Sequence, residues 1–252
     1  MEAKLATESK LPQVTLLFWI MKLSTTTLGE SAGDLLSMTL DLGYALSSLV
    51  LIAFFFVTLA PQLAVRRYHP ALYWSVILST TMAGTTMSDF MDRTLHLGYV
   101  WGSALLLGIL LTIFAAWRAS GESLNVETIR TRKVEILYWT AILFSNTLGT
   151  ALGDFFADTS GLGFGGGAAL IGGALLLAAL AYRFTKLSHV FLFWLAFVLT
   201  RPLGATVGDL FTKSHEDGGL GVGTIPTSMV LLAFLALCVV YATWTARTRR
   251  AV

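Results

Sequence analysis

Cysteine is nearly missing from this 252-residue chain: Cys238 stands alone, so no disulfide framework, thiol redox pair or thiolate zinc cluster can be built. The four histidines lie near the ends of apolar runs or between them, which leaves no imidazole cluster for zinc or copper. There is no His-Glu-x-x-His, no nucleophile beside a base and no phosphate-cradling glycine loop; Gly163-Phe-Gly-Gly-Gly167 reads as a turn entering a helix. An enzyme is therefore not expected, nor a tightly bound cofactor, nor a nucleic-acid partner. Charge is scarce as well. Asp, Glu, Lys and Arg make up only 13% of the residues, against about 25% in soluble domains. With 55% hydrophobic residues and a mean hydropathy of +0.72, the expected class is an all-α integral membrane protein whose main partner is the lipid bilayer.

Eight apolar runs approach the roughly 20 residues that a helix needs to cross a ~30 Å hydrocarbon core. They cover about 13–37, 43–65, 71–93, 98–117, 134–157, 163–182, 188–211 and 224–246. An unusually apolar soluble bundle would need polar faces on its outer helices, and the stretches Leu105 to Ala116 and Leu170 to Ala181 have none. Basic residues cluster after every second run: Arg66 and Arg67; Arg118, Arg130, Arg132 and Lys133; Arg183 and Lys186; Arg247, Arg249 and Arg250. By the positive-inside rule these ends are cytoplasmic, so both termini face inward and the protein is expected to be multi-pass in the cell's inner membrane. Residues 1–12 form a polar segment without the apolar core and cleavage site of a secretory signal, and the first run is expected to act as the insertion signal.

Within the runs a pattern recurs four times. A tryptophan is followed fifteen residues later by an aspartate: Trp19 and Asp34, Trp74 and Asp89, Trp139 and Asp154, Trp194 and Asp209. Each aspartate has a glycine five residues before it and a small residue directly before it. The aspartates are spaced by 55, 65 and 55 residues, and the longer middle interval holds a hydrophilic connector. The expected organisation is a first half over 13–118, a cytoplasmic connector over 119–133 and a second half over 134–247. Each half would contain two helical hairpins, giving eight spans as four two-helix repeats. A two-span unit preserves orientation, so the repeats should be related by an axis along the membrane normal, with equivalent residues at equal depth. Each aspartate then lies near the outer end, about 22 Å along the helix from its tryptophan, and the tryptophans are expected to be packing residues in the inner aromatic belt.

An ionisable residue in a membrane span costs about 3 kcal/mol or more unless it faces a partner or water, so four at equivalent positions point to a site. Gly29 and Gly33, Gly84 and Ser88, Gly149 and Gly153, and Gly204 and Gly208 are small-x-x-x-small pairs that would let the odd helices approach closely as an inner layer. On the stripe carrying each aspartate lie Glu30 with Thr27, Thr85 with Met82, Thr150 with Thr147, and Ala205 with Pro202. Carboxylates and hydroxyls are hard oxygen ligands suited to Mg, Mn, Ca or alkali ions. Two cations accompany them: Arg201 is deep enough to need a partner, either Glu30 or an aspartate, whereas Lys22 is expected to snorkel to the cytoplasmic surface.

The recurring Thr-or-Pro-x-Gly-x-x-x-Gly-Asp element resembles a bacterial family of repeated, multi-pass membrane-anchored proteins of unknown function, over residues 13–246. A looser likeness is to manganese and calcium exchangers that carry Glu-x-Gly-Asp elements; Glu30-Ser-Ala-Gly-Asp34 is one residue longer. The functional expectation is a cation transporter for a divalent metal such as manganese, with Asp34, Asp89, Asp154, Asp209 and Glu30 as ligands. Thr27, Thr85, Thr147, Thr150 and Arg201 would lie along the pathway. The alternatives are a passive cation channel and a non-transporting scaffold with structural aspartates. Assembly as a homo-oligomer is open at this stage.

Overall fold

In the computed structural model, residues 10–129 and 131–251 are described, with side chains up to 246. Of the polar segment over 1–12, residues 1–9 lie outside the described residues, as do Arg130 and the side chains of Arg247, Arg249 and Arg250. Among the described residues there are eight α-helices and no strand. They are α1 (Leu16–Asp34), α2 (Gly43–Ala64), α3 (Pro70–Asp89), α4 (Gly98–Ala119), α5 (Arg132–Asp154), α6 (Gly163–Phe184), α7 (His189–Thr212) and α8 (Thr224–Ala251).

The ends of these helices follow local chemistry. Thr15, Thr131 and Ser188 cap α1, α5 and α7 by accepting from backbone N–H groups three residues on, and Pro70 opens α3 at the position where its missing N–H costs nothing. Directly after Asp34, Asp89 and Asp154 the chain widens into single π-helical turns, Leu35–Thr39, Phe90–Thr94 and Phe155–Thr159. The fourth unit differs, because Lys213 turns extended immediately after α7. Gly43, Gly98 and Gly163 open the next helices at φ between 65° and 72°, a conformation that favours glycine.

The odd helices form a closed ring in which α1 packs on α3, α3 on α5, α5 on α7, and α7 back on α1. Their contacts run in register. A Cβ at Gly29 would collide with Thr81 and one at Gly33 with Thr85; one at Gly149 would collide with Arg201 and one at Gly153 would press on Ala205; Gly204 and Gly208 stand in the same relation to Thr26 and Glu30. Gly84 lies against Asn146 and Thr147 in the same way. Since both members of each pair advance in the same direction, the four ring helices are parallel and the glycines mark their closest approach.

The even helices coat this ring with a shift of one unit. α2 packs on α3, α4 on α5, α6 on α7, and α8 closes the circuit on α1. Each outer helix therefore rests chiefly on the ring helix of the following unit, and α2, α4 and α6 meet their own predecessors mainly at the π turn. Their outward faces are exposed and apolar, as at Leu49, Val57, Leu111, Leu177 and Leu237.

Five helices, α2, α4, α6, α7 and α8, are long and apolar enough to cross a membrane. The three ring helices α1, α3 and α5 fall short of that composition for a physical reason. Their apolar surface is diluted by residues turned inward, among them Lys22, Glu30, Asn146 and a series of buried threonines and serines.

Two expectations about the other end of the ring are corrected. The tryptophans are packing residues, as expected, but they lie within the ring and not in an interfacial belt: Trp74, Trp139 and Trp194 are buried at 2%, 0% and 6% exposure, and Trp19 is half-buried. Each is preceded by another aromatic residue, and the four pairs Phe18-Trp19, Tyr73-Trp74, Tyr138-Trp139 and Phe193-Trp194 stack across the ring edge-to-face and tilted. Tyr73 and Tyr138 add a hydroxyl–hydroxyl bond of 2.7 Å. The plug they form is covered by Leu11 from the N-terminal segment and by Val126 and Ile129 from the connector, all buried. Lys22, in turn, does not reach a surface. It is fully buried above the plug, with Nζ 4.1 Å from the centre of the Phe197 ring, because the aromatic layer lies between its amine and the N-terminal end of the ring helices.

Candidate cation site at the aspartate end of the ring

The register of the ring helices brings equivalent residues into layers. The four aspartates form one layer, each buried at 4% exposure or less. They do not make a symmetric ring of like charges. Arg93, four residues after Asp89, places Nε 2.9 Å from Oδ1 of Asp89 and Nη2 3.5 Å from Oδ2 of Asp154. Lys213, four residues after Asp209, places Nζ 3.3 Å from Oδ1 of Asp209 and 2.5 Å from Oδ2 of Asp34. The aspartates thus divide into two pairs, α3 with α5 and α7 with α1, each bridged by one cation. Burial works against the charge on Lys213, but the carboxylates of Asp209 and Asp34 outweigh it and hold the amine above the ordinary lysine range.

Arg93 and Lys213 were not anticipated as site residues, since both read as linker charges. The signal was present in the i,i+4 spacing Asp89/Arg93 and Asp209/Lys213. Met38 and Asp158 occupy the equivalent places in the first and third units.

One turn deeper lie Glu30, Thr85, Thr150 and Ala205. The last is small, and Arg201 fills the space it leaves: Nη2 stands 2.8 Å from Oε2 of Glu30 and donates to Thr85 and Thr150 Oγ1, each at 2.6 Å. One fully buried guanidinium from α7 therefore ties together α1, α3 and α5. Of the two partners expected for Arg201, Glu30 is the one it takes. Thr27 and Thr147 do not join this layer; their hydroxyls bond to the Leu23 and Leu143 carbonyls of their own helices at 3.0 Å. The glycines stand behind these layers, at the close contacts between ring helices, and Ser88, also buried, donates to Asp92 at 3.3 Å.

Among the described residues, one group of carboxylates comes together closely enough for a metal. Single oxygens of Glu30, Asp34 and Asp209, all buried, lie within 4.8 Å of one another. Asp89 and Asp154 are outside that group. Oxygens at this spacing suit a hard cation bound at about 2.1–2.6 Å from each. Lys213 and Arg201 already sit against all three carboxylates, so an incoming cation would have to displace a positive charge that the protein supplies itself.

Sequence comparison accounts for the layers. The repeat described as Repeat of Unknown Function (DUF347) matches four times, over residues 17–68, 72–123, 137–188 and 192–248. The chain belongs to the DUF347 family. No curated protein and no solved structure matches it. Each DUF347 repeat contains one ring helix with its aspartate followed by one outer helix, and the repeat starts follow the same unequal spacing as the aspartates. A DUF347 repeat by itself leaves its ring helix incompletely covered, because the outer helix that packs on it comes from the preceding repeat, or from the last repeat in the case of α1.

Proposed function

We propose that this DUF347 protein is a membrane transporter for a small cation, a divalent metal such as manganese being the intended class. The observation that carries the reading is the convergence of Glu30, Asp34 and Asp209 from two ring helices within one buried volume. In this reading all eight helices cross the membrane as four two-helix units about an axis along its normal. α1, α3 and α5 are parallel to α7, in register with it and similar in length, so that a membrane crossed by α7 is crossed by them too. Both termini are cytoplasmic, and the aspartate end faces outward. A cation arriving at that end exchanges with the Lys213 amine, meets three oxygen ligands, and loosens Arg201 from Glu30. Because Arg201 spans the ring, such a release would alter contacts to three helices at once, which is the coupling an alternating-access device needs.

Two features weigh against a passive channel: the guanidinium lying across the ring and the aromatic plug beneath it. A structural scaffold is favoured by a different observation, namely that every one of the four aspartates already has a cationic partner. The deciding experiment is manganese binding by calorimetry and uptake into proteoliposomes, for wild type, Asp34→Asn and Asp209→Asn. Loss of both activities in variants that still insert and fold supports the transporter. Uptake at the wild-type level in both variants, or no binding by wild type, returns the aspartates to architecture.

A further inference from the structure

A second pair of charges lies below the carboxylates. Arg201 and Lys22 are both fully buried, at 0% exposure, in the ring. Glu30 engages Arg201 through Nη2 alone; among the described residues, Nε and Nη1 of Arg201 have no hydrogen-bond partner. The Lys22 amine carries three donors, yet its hydrogen bond among the described residues is a single one, 3.2 Å to Oδ1 of the neutral Asn146, whose own amide donates to Thr80 at 2.9 Å. No ion pair of Lys22 occurs among the described residues. Arg201, the other cation buried in the ring, carries charge of the same sign and cannot serve as its counter-charge.

The heights of these groups follow from the helix register. Asn146 stands four residues before Thr150 on α5, so the Lys22 amine lies one turn below the guanidinium, about 6 Å along the axis. N–H donors about 6 Å apart would admit one small acceptor at about 3 Å from each. A buried cation without a counter-charge is costly, and so is each buried N–H without an acceptor. One anion in that position would satisfy both.

We propose that Lys22 and Arg201 hold a small monovalent inorganic anion, chloride being the test ligand, within the ring beneath the cation site. The hydroxyls nearby accept hydrogen bonds but supply no counter-charge: Thr80, which donates to the Ile77 carbonyl, already accepts from the Asn146 amide. The site goes beyond the cation reading and does not require it. The anion balances the guanidinium from below and Glu30 balances it from the side, so that a change in the carboxylate layer is felt at the anion.

The test uses the full chain purified in detergent, with sodium and pH held constant while chloride, bromide or gluconate is titrated and no divalent metal is present. A saturable rise in unfolding temperature of roughly 3–6 °C with chloride and bromide, absent with gluconate, is expected. Equal behaviour in all three salts, whether a rise or none, overturns the proposal. Lys22→Met should abolish the halide effect and Lys22→Arg should retain it. Where Lys22→Met does not fold, diffraction from crystals grown in bromide gives an independent answer, since a bromide anomalous peak between Lys22 and Arg201 supports the site and a peak-free map overturns it. Because these measurements need no metal, a negative result leaves the cation reading intact, and failure of metal binding leaves the halide result standing.

Discussion

The amine of Lys213 stands 2.5 Å from Oδ2 of Asp34, a residue 179 positions earlier in the chain. This ion pair links the last ring helix to the first and so belongs to the closure of the ring as much as to any site. At the same level Arg93 joins the second and third ring helices, and the two clasps together leave Glu30 as the carboxylate reserved for Arg201. Positive charge is thus built into the carboxylate layers from three side chains, which makes displacement by an external cation an exchange of charges and not a simple addition.

Lys213→Met tests that exchange. Removing the amine leaves Asp34 and Asp209 facing each other uncompensated, which should lower stability by about 1–3 kcal/mol, less than for a wholly interior pair because Lys213 is partly exposed. On the transporter reading the same change raises manganese affinity, since the tethered competitor is gone. Thermal unfolding with and without manganese should show the metal restoring what the substitution lost. Lys213→Arg should resemble wild type in both respects.

Arg201→Met should be the most damaging single change in the ring, because it strands Glu30, Thr85 and Thr150 together. Breaking a fully buried pair costs about 3–5 kcal/mol. Glu30→Gln leaves a neutral acceptor for the guanidinium and should cost less. The double variant should recover part of the loss of Arg201→Met, and a thermodynamic cycle over the four proteins would read their coupling directly. Simple additivity would mean that the 2.8 Å contact contributes nothing to folding.

The fourfold repeat, the all-helical class and the apolar outer helices were legible because repetition and hydropathy are properties of the chain taken in order. The identity of each outer helix's neighbour was not. A hairpin reading places α2 beside α1, whereas ring closure hands it to α3, and nothing local in Gly43–Ala64 encodes that shift. Arg93 and Lys213 were hidden for a related reason, as they follow the apolar runs and so look like linker charge until the π turn after Asp89, and the extended turn at Lys213 that ends α7, bring them back over the aspartates. Lys22 misled because snorkelling is a reasonable choice for a lysine near a helix end, and only the aromatic pairs of all four repeats taken together bar its way out.

Glycine substitutions separate packing from conformational freedom. Gly149→Ala drives a methyl group into Arg201 and Pro202, and Gly204→Ala into Thr26 and the backbone behind it, so each should destabilise by about 1–3 kcal/mol. Gly108 lies on the exposed side of α4 with nothing within 4 Å of the added atom, and Gly108→Ala should be neutral or gain up to about 1 kcal/mol. Unfolding temperatures that move alike for all three would show that the ring contacts are looser than described.

The aromatic plug supplies the last prediction, since it decides whether the ring is closed at the end opposite the aspartates. Trp139 is fully buried between Tyr73 and Tyr138, so Trp139→Ala removes a large side chain from a packed layer and should cost about 3–5 kcal/mol. Tyr73→Phe keeps the ring and removes only the 2.7 Å hydroxyl bond to Tyr138, a loss of about 1 kcal/mol. In proteoliposomes the two should part company. If the plug is the inner barrier of a transporter, Trp139→Ala gives a downhill manganese leak that no longer saturates, while Tyr73→Phe keeps saturable uptake. A Trp139→Ala protein that folds and remains tight to the metal would place the barrier elsewhere, with the Arg201 guanidinium as the next group across the path.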